Sequence, residues 1–143
     1  MRRGFRLGSI RGVEVVADLS LLVIAVLLTW SLYVDLQRTF PARSGDVLLL
    51  FAFCGGTLFL GSVFLHELSH SLVAMSRGLA VRRIRLFIFG GVSEIEQEAA
   101  TPGDELAVTV AGPAASLGLG AGFILLAWAF SAGSNLPARV ALI

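Results

Sequence analysis

Between Asp46 and Arg77 the chain carries a single charged residue, Glu67, and it follows directly on the first of the only two histidines in the sequence. The apolar run from Val47 to Met75 would make roughly 43 Å of helix at 1.5 Å per residue. That exceeds the hydrocarbon core of a bilayer, about 30 Å, so the helix must tilt or project beyond the membrane. Ionisable groups are costly at such depth and mark a function by default. Here they form His66-Glu67-Leu68-Ser69-His70. On a helix, positions i and i+4 share one face, so both imidazoles can reach one metal ion. Glu67 stands about 100° round from His66, close enough to manage the proton of an activated water without being a ligand. The spacing points to two zinc ligands, His66 and His70, and a general base, Glu67.

Two further apolar runs place the motif in a multi-span membrane protein. Hydrophobic residues make up 56% of the 143, charged residues 15%, and mean hydropathy is +0.85, far from an ordinary soluble domain. A formal charge of +1, with no basic tract interleaved with aromatics, gives no basis for a nucleic-acid partner. Cys54 is the single cysteine, so no intrachain disulfide can form, and it reads as a buried small apolar residue. The first run starts at Leu19, after a basic segment that could suggest a signal peptide. It begins late, and Thr29-Trp30-Ser31-Leu32-Tyr33 offers no small-residue cleavage site, so an uncleaved span is expected. Trp30 and Tyr33 are placed as interfacial anchors, and residues 35–46 form a polar loop.

Before the first span, Val13, Val15 and Val16 alternate loosely and predict a short extended segment. After the second, Val81–Phe89 and Val92–Glu96 predict two strands around a Gly90-Gly91 turn. Phe87–Phe89 break the alternation and set this hairpin partly in the membrane interface. Its edge could hold an extended peptide by strand addition, or the hairpin could simply connect two spans. Thr101, Pro102, Asp104 and Glu105 signal a helix start. Gly112, Gly118, Gly120 and Gly122 give that third helix a close-packing end with a kink at Pro113, and Gly55, Gly56 and Gly61 suggest a packing seam on the second. Residues 131–143 read as a turn-like tail. The expected fold is a membrane all-α protein. Its three transmembrane helices (about 19–34, 47–76, 105–130) accompany a short N-terminal extended segment and a small β-hairpin (about 82–96).

Arginine placement predicts the orientation. Arg2, Arg3, Arg6 and Arg11 precede the first span, Arg38 and Arg43 follow it, and Arg77, Arg82, Arg83 and Arg85 follow the second. The N-terminus and residues 77–105 are therefore predicted cytoplasmic, with the motif roughly 10 Å inside that boundary. Arg82, Arg83 and Arg85 would meet anionic lipid headgroups.

Four stretches occur in an order that resembles the site-2 protease family of intramembrane zinc metalloproteases, especially its bacterial branch similar to sporulation-factor-processing proteases. They are Phe64-Leu-His-Glu-Leu-Ser-His-Ser-Leu-Val-Ala74, Arg77-Gly78, Phe89-Gly-Gly-Val92 and Ala111-Gly-Pro113. The likeness covers about residues 60–117, and the segment 5–18 resembles the family's extended stretch before its first span. The resemblance implies regulated intramembrane proteolysis: hydrolysis of a peptide bond in a substrate's transmembrane helix. It implies Zn2+ held by His66 and His70, with Glu67 activating water. The implied setting is the lipid bilayer of a bacterial inner (plasma) membrane. A membrane-embedded protein is the substrate there, and a regulatory membrane protein is a further candidate partner.

The family draws a third ligand from an aspartate in an Asn-Pro-Asp-Gly-like segment, and residues 1–143 contain none. Asp35, Asp46 and Asp104 lie near span ends in unrelated contexts. The expectation is one integral membrane protease-like domain, residues 1–143, truncated before the span that carries that ligand. Two other readings stay open. A non-catalytic relative that binds membrane helices would gain nothing from retaining Glu67. A metal or proton transport element would call for repeated polar positions on another span, and the third span has only Thr109 and Ser116.

Overall fold

The computed structural model describes residues 4–97 and 99–133. Its elements run β1 (Gly4–Ile10), β2 (Val13–Asp18), α1 (Ser20–Thr39), α2 (Gly45–Ser76), β3 (Val81–Phe87), β4 (Gly90–Ile95) and α3 (Pro102–Gly133). Arg2 and Arg3, and the expected tail beyond Gly133, lie outside the described residues. All three helices are long and apolar enough to cross a membrane, as expected from the three runs.

The helices extend past their apolar cores because polar residues at their ends still favour helix. α1 continues beyond the expected Val34 to Thr39, where the Thr39 hydroxyl donates to the Asp35 carbonyl (3.0 Å) and Arg38 sits in the last turn. A cation there complements the negative end of the helix dipole. α3 begins three residues before the expected 105. The Thr101 hydroxyl accepts from the Asp104 N–H (3.2 Å) and donates to the Asp104 carboxylate (2.7 Å), capping the first turn.

The all-α expectation is corrected by a four-stranded sheet in the order β1-β2-β3-β4. The N-terminal segment is not one strand but a hairpin, turning through Arg11 and Gly12 at φ 49° and 88°. Its second strand pairs in parallel with β3, joining Val15 to Ile84 and Ala17 to Leu86. β2 leads into α1 and β3 leaves α2, so the helix pair returns the chain to the end where it began. The N-terminal hairpin and the β3–β4 hairpin therefore lie on the same side of the helices, in keeping with the arginine pattern.

One face of the sheet packs on the last turns of α2. Val13, Ile84 and Leu86 are buried there against Leu21, Phe64, Leu68, Met75 and Val81. Complete burial of Ile84 contributes about 1.5–3 kcal/mol. The opposite face is charged: Arg6 pairs with Glu14 (3.1 Å), and Arg83 (3.2 Å) and Arg85 (3.9 Å) flank Glu94. Two of the three arginines expected at lipid headgroups thus have protein carboxylates beside them, while Arg82 is exposed.

The β3–β4 turn falls at Ile88-Phe89, two residues before the expected Gly90-Gly91. Both glycines already belong to β4, paired with Phe87 and Leu86. The tip residue Phe89 is 89% exposed. Only part of the expected glycine seam forms. Gly55 and Gly56 face Leu32 and Thr29 of α1, whereas Gly61 has no close neighbour. On α3, Gly118, Gly120 and Gly122 are likewise open among the described residues, and close approach is confined to Gly112. Cys54, expected to be buried, is exposed along α2; an apolar side chain on a membrane-spanning helix needs no protein neighbour, because lipid takes that place.

Candidate metal centre on the second helix

The last four turns of α2 are shared among three neighbours. Phe64, Leu68 and Met75 pack with the sheet. His66 and His70 turn to α3, and Glu67 turns to β4. The three residues proposed from sequence are half-buried. β4 and α3 each pack on α2 and are not packed on one another among the described residues, so the motif lies where the two elements meet α2. Arg77, just beyond α2, forms an ion pair of 2.7 Å with Asp104 in the first turn of α3.

The two imidazoles converge. His66 Nε2 and His70 Nε2 are 3.2 Å apart, with ring planes at 76°. Two nitrogens at 2.0–2.1 Å from one tetrahedral zinc ion would be separated by about 3.3 Å. The far nitrogens are held by α3: His70 Nδ1 lies 2.6 Å from the Val108 carbonyl and His66 Nδ1 lies 2.9 Å from Ser116 Oγ. A carbonyl can only accept, so His70 Nδ1 carries the proton and its Nε2 presents a lone pair. Such outer hydrogen bonds orient ligating histidines in metal sites generally.

Gly112 makes this convergence sterically feasible. A Cβ at that position would overlap Nε2 of both His66 and His70, so the α3 backbone forms a cradle that any side chain would fill. Converging Nε2 atoms, anchored far nitrogens and an open cradle fit two ligands of a zinc site. Among the described residues, no group of three His, Cys, Asp or Glu stands ready to hold a metal. Asp35, Asp46 and Asp104 therefore stay outside the site, as the sequence reading has them.

Glu67 is positioned by different means. Gly91 of β4 has no side chain, and a Cβ there would overlap Glu67 Cγ. Two residues on, the Ser93 hydroxyl lies 3.2 Å from Glu67 Oε2 and 3.1 Å from the Glu67 carbonyl oxygen, and shares its one proton between them. Ser71, fully buried, donates to Ser93 Oγ over 3.1 Å. A relay of hydroxyls thus runs from the helix to the strand and back to the carboxylate.

Ser93, Ser116 and the Val108 carbonyl were not among the proposed site residues. Ser116 had one signal, as one of two polar side chains on an otherwise apolar third span; Ser93 and Val108 had none. Gly91 and Gly112 stood in the motifs quoted for the resemblance, and their function becomes physical only when the opposing side chains are seen.

The sequence model of Peptidase family M50 matches residues 55–141. Proteins named as zinc metalloproteases from Synechocystis sp. (sll0528) and from Mycobacterium tuberculosis (Rip3) are each 40% identical over 140 residues. The match covers 98% of this chain and 35% of each of theirs, so the chain spans about a third of these relatives' length. The solved site-2 protease from Methanocaldococcus jannaschii superposes with a TM-score of 0.57 at 26% identity, covering 87% of this chain and 51% of that one. His-Glu-x-x-His on a helix is a zinc-metallopeptidase pattern, and here it lies among three candidate membrane spans. The chain belongs to peptidase family M50, the site-2 protease family.

Proposed function

We propose that this chain carries the catalytic motif of an intramembrane zinc metalloprotease that hydrolyses a peptide bond in a substrate's transmembrane helix. The observation that carries the proposal is the 3.2 Å approach of the two Nε2 atoms over Gly112, with Glu67 on the adjoining side of the same turn. His66 and His70 would hold the metal, and a zinc site of this kind would need a third protein ligand besides them. Zinc in such a site supplies Lewis acidity, polarising a carbonyl and making water acidic enough to lose a proton near neutral pH. Glu67 would accept a proton from water at its carboxylate and return it to the leaving amine. Its carboxylate is kept in place by Gly91 and Ser93 while it does so.

A helical peptide bond is shielded by its own hydrogen bonds and by lipid, so the substrate must be unwound before water can reach it. β4 is an edge strand that carries Gly91 and Ser93 against Glu67, and its edge offers backbone partners to an unwound segment. We place the sheet and the N-terminus on the cytoplasmic side of a bacterial plasma membrane, on the arginine pattern.

The test uses the complete enzyme reconstituted with a transmembrane substrate. Glu67→Gln is expected to lower cleavage by at least about 10²-fold, within the range supplied by general bases, while zinc stays bound. His66→Ala is expected to lose zinc and cleavage together. Cleavage at the wild-type rate in Glu67→Gln would remove the general-base assignment.

A further inference from the structure

Resting on the metal-site reading above, we propose that Ser116 is a positioning residue that selects the metal-competent form of His66. The two histidines are anchored by chemically different partners. Val108 offers a carbonyl, which only accepts, so the tautomer of His70 is fixed with its proton on Nδ1. Ser116 offers a hydroxyl at 2.9 Å from His66 Nδ1, which can donate or accept.

That difference matters because the two Nε2 atoms face one another at 3.2 Å. Two lone pairs repel at this separation unless something positive lies between them. With His70 fixed, the only neutral arrangement that avoids the clash without a metal puts a proton on His66 Nε2. Then Nε2–H points at His70 Nε2, and Ser116 donates its own proton to His66 Nδ1. To become a ligand, His66 must instead present a bare Nε2. Its proton then resides on Nδ1, and Ser116 turns from donor to acceptor. The imidazole is neutral in both forms and gains or loses no proton overall. A hydroxyl serves both forms with no movement of the backbone, whereas a methyl group serves neither. The asymmetry makes His70 the fixed ligand and His66 the adjustable one.

The experiment is a zinc titration of the full-length protein in detergent against a chromophoric chelator, with Ser116→Ala, Ser116→Thr and His66→Ala alongside wild type. Alanine is favourable in a helix, so Ser116→Ala keeps the fold, and threonine keeps the hydroxyl. The expected result is an affinity loss of about 10–100-fold in Ser116→Ala, the range for outer-shell partners of ligating histidines. Ser116→Thr restores wild-type affinity, and His66→Ala loses zinc. Wild-type affinity in Ser116→Ala overturns the proposal, as does an equal loss in Ser116→Thr. Wild-type affinity in His66→Ala would instead show that the metal is held elsewhere, and both the site reading and this role for Ser116 would fall.

Discussion

The two sides of the motif helix are built alike and do opposite things. On the α3 side, Gly112 lets a backbone close on the histidines and Ser116 bonds the outer nitrogen of one of them. On the β4 side, Gly91 lets a backbone close on Glu67 and Ser93 bonds its carboxylate. A glycine for approach and a serine for orientation thus recur on a helix and on a strand. What differs is the group being held. The α3 side converges two nitrogens toward one point, which suits a cation. The β4 side holds a single carboxyl group through one hydroxyl, which suits proton transfer. Ligation and base catalysis should therefore be separable by mutation, side by side on one turn of helix.

The sharpest break should come at Gly112. Gly112→Ala places a methyl group on both Nε2 atoms, and the rings can yield only by leaving their anchors at Val108 and Ser116. Zinc content should fall to background and cleavage with it, measured by metal analysis and substrate proteolysis. Retained zinc would mean that the cradle is not where the metal sits.

Gly91→Ala is the matching change on the other side. It displaces Glu67, and a misplacement of about 1 Å can cost roughly 10²-fold in rate. Zinc should remain, so cleavage and metal content should part company. Loss of both together would show the two sides to be one coupled unit.

Ser93→Ala is milder. It removes one hydrogen bond to Glu67 and should lower cleavage by no more than about tenfold, the equivalent of a single bond of about 1–1.5 kcal/mol. It also leaves the buried Ser71 hydroxyl without its acceptor, at a cost of about 1–3 kcal/mol in stability. Ser71→Ala in the same background should recover that stability without recovering rate. Smallest of all should be Arg77→Ala, which breaks a partly exposed ion pair with Asp104. Zinc affinity should be unchanged and the melting temperature only slightly lowered; a loss of zinc would make that pair a determinant of how α3 addresses the histidines.

Much of this was readable from the chain, and the reason is locality. His66, Glu67 and His70 lie within two turns of one helix, so their geometry follows from 3.6 residues per turn. The three spans follow from runs of apolar residues, and the Thr101 cap from its own neighbours. The sheet was not readable in the same way. Parallel pairing of Val15 with Ile84 joins segments separated by two whole helices, and no local pattern announces a partner that distant. The β3–β4 hairpin itself was legible, with Arg83, Arg85 and Glu94 inside its two expected strands. The turn at Ile88-Phe89 was missed because Gly90-Gly91 is the stronger turn signal; Gly91 is instead spent on admitting Glu67. Ser93 escaped because a strand hydroxyl carries no signature until its partner is placed opposite, and Ser116 because a polar side chain on an apolar span does not say which group it will hold.

The central claim is that His66 and His70 face one metal ion across Gly112. X-ray absorption at the zinc edge of the full-length protein tests it most directly. Imidazole scattering from two histidines at about 2.0–2.1 Å is the predicted result, falling by one imidazole in His70→Ala prepared with excess zinc. Zinc bound with no imidazole in its shell, or a spectrum unchanged by His70→Ala, would contradict the account.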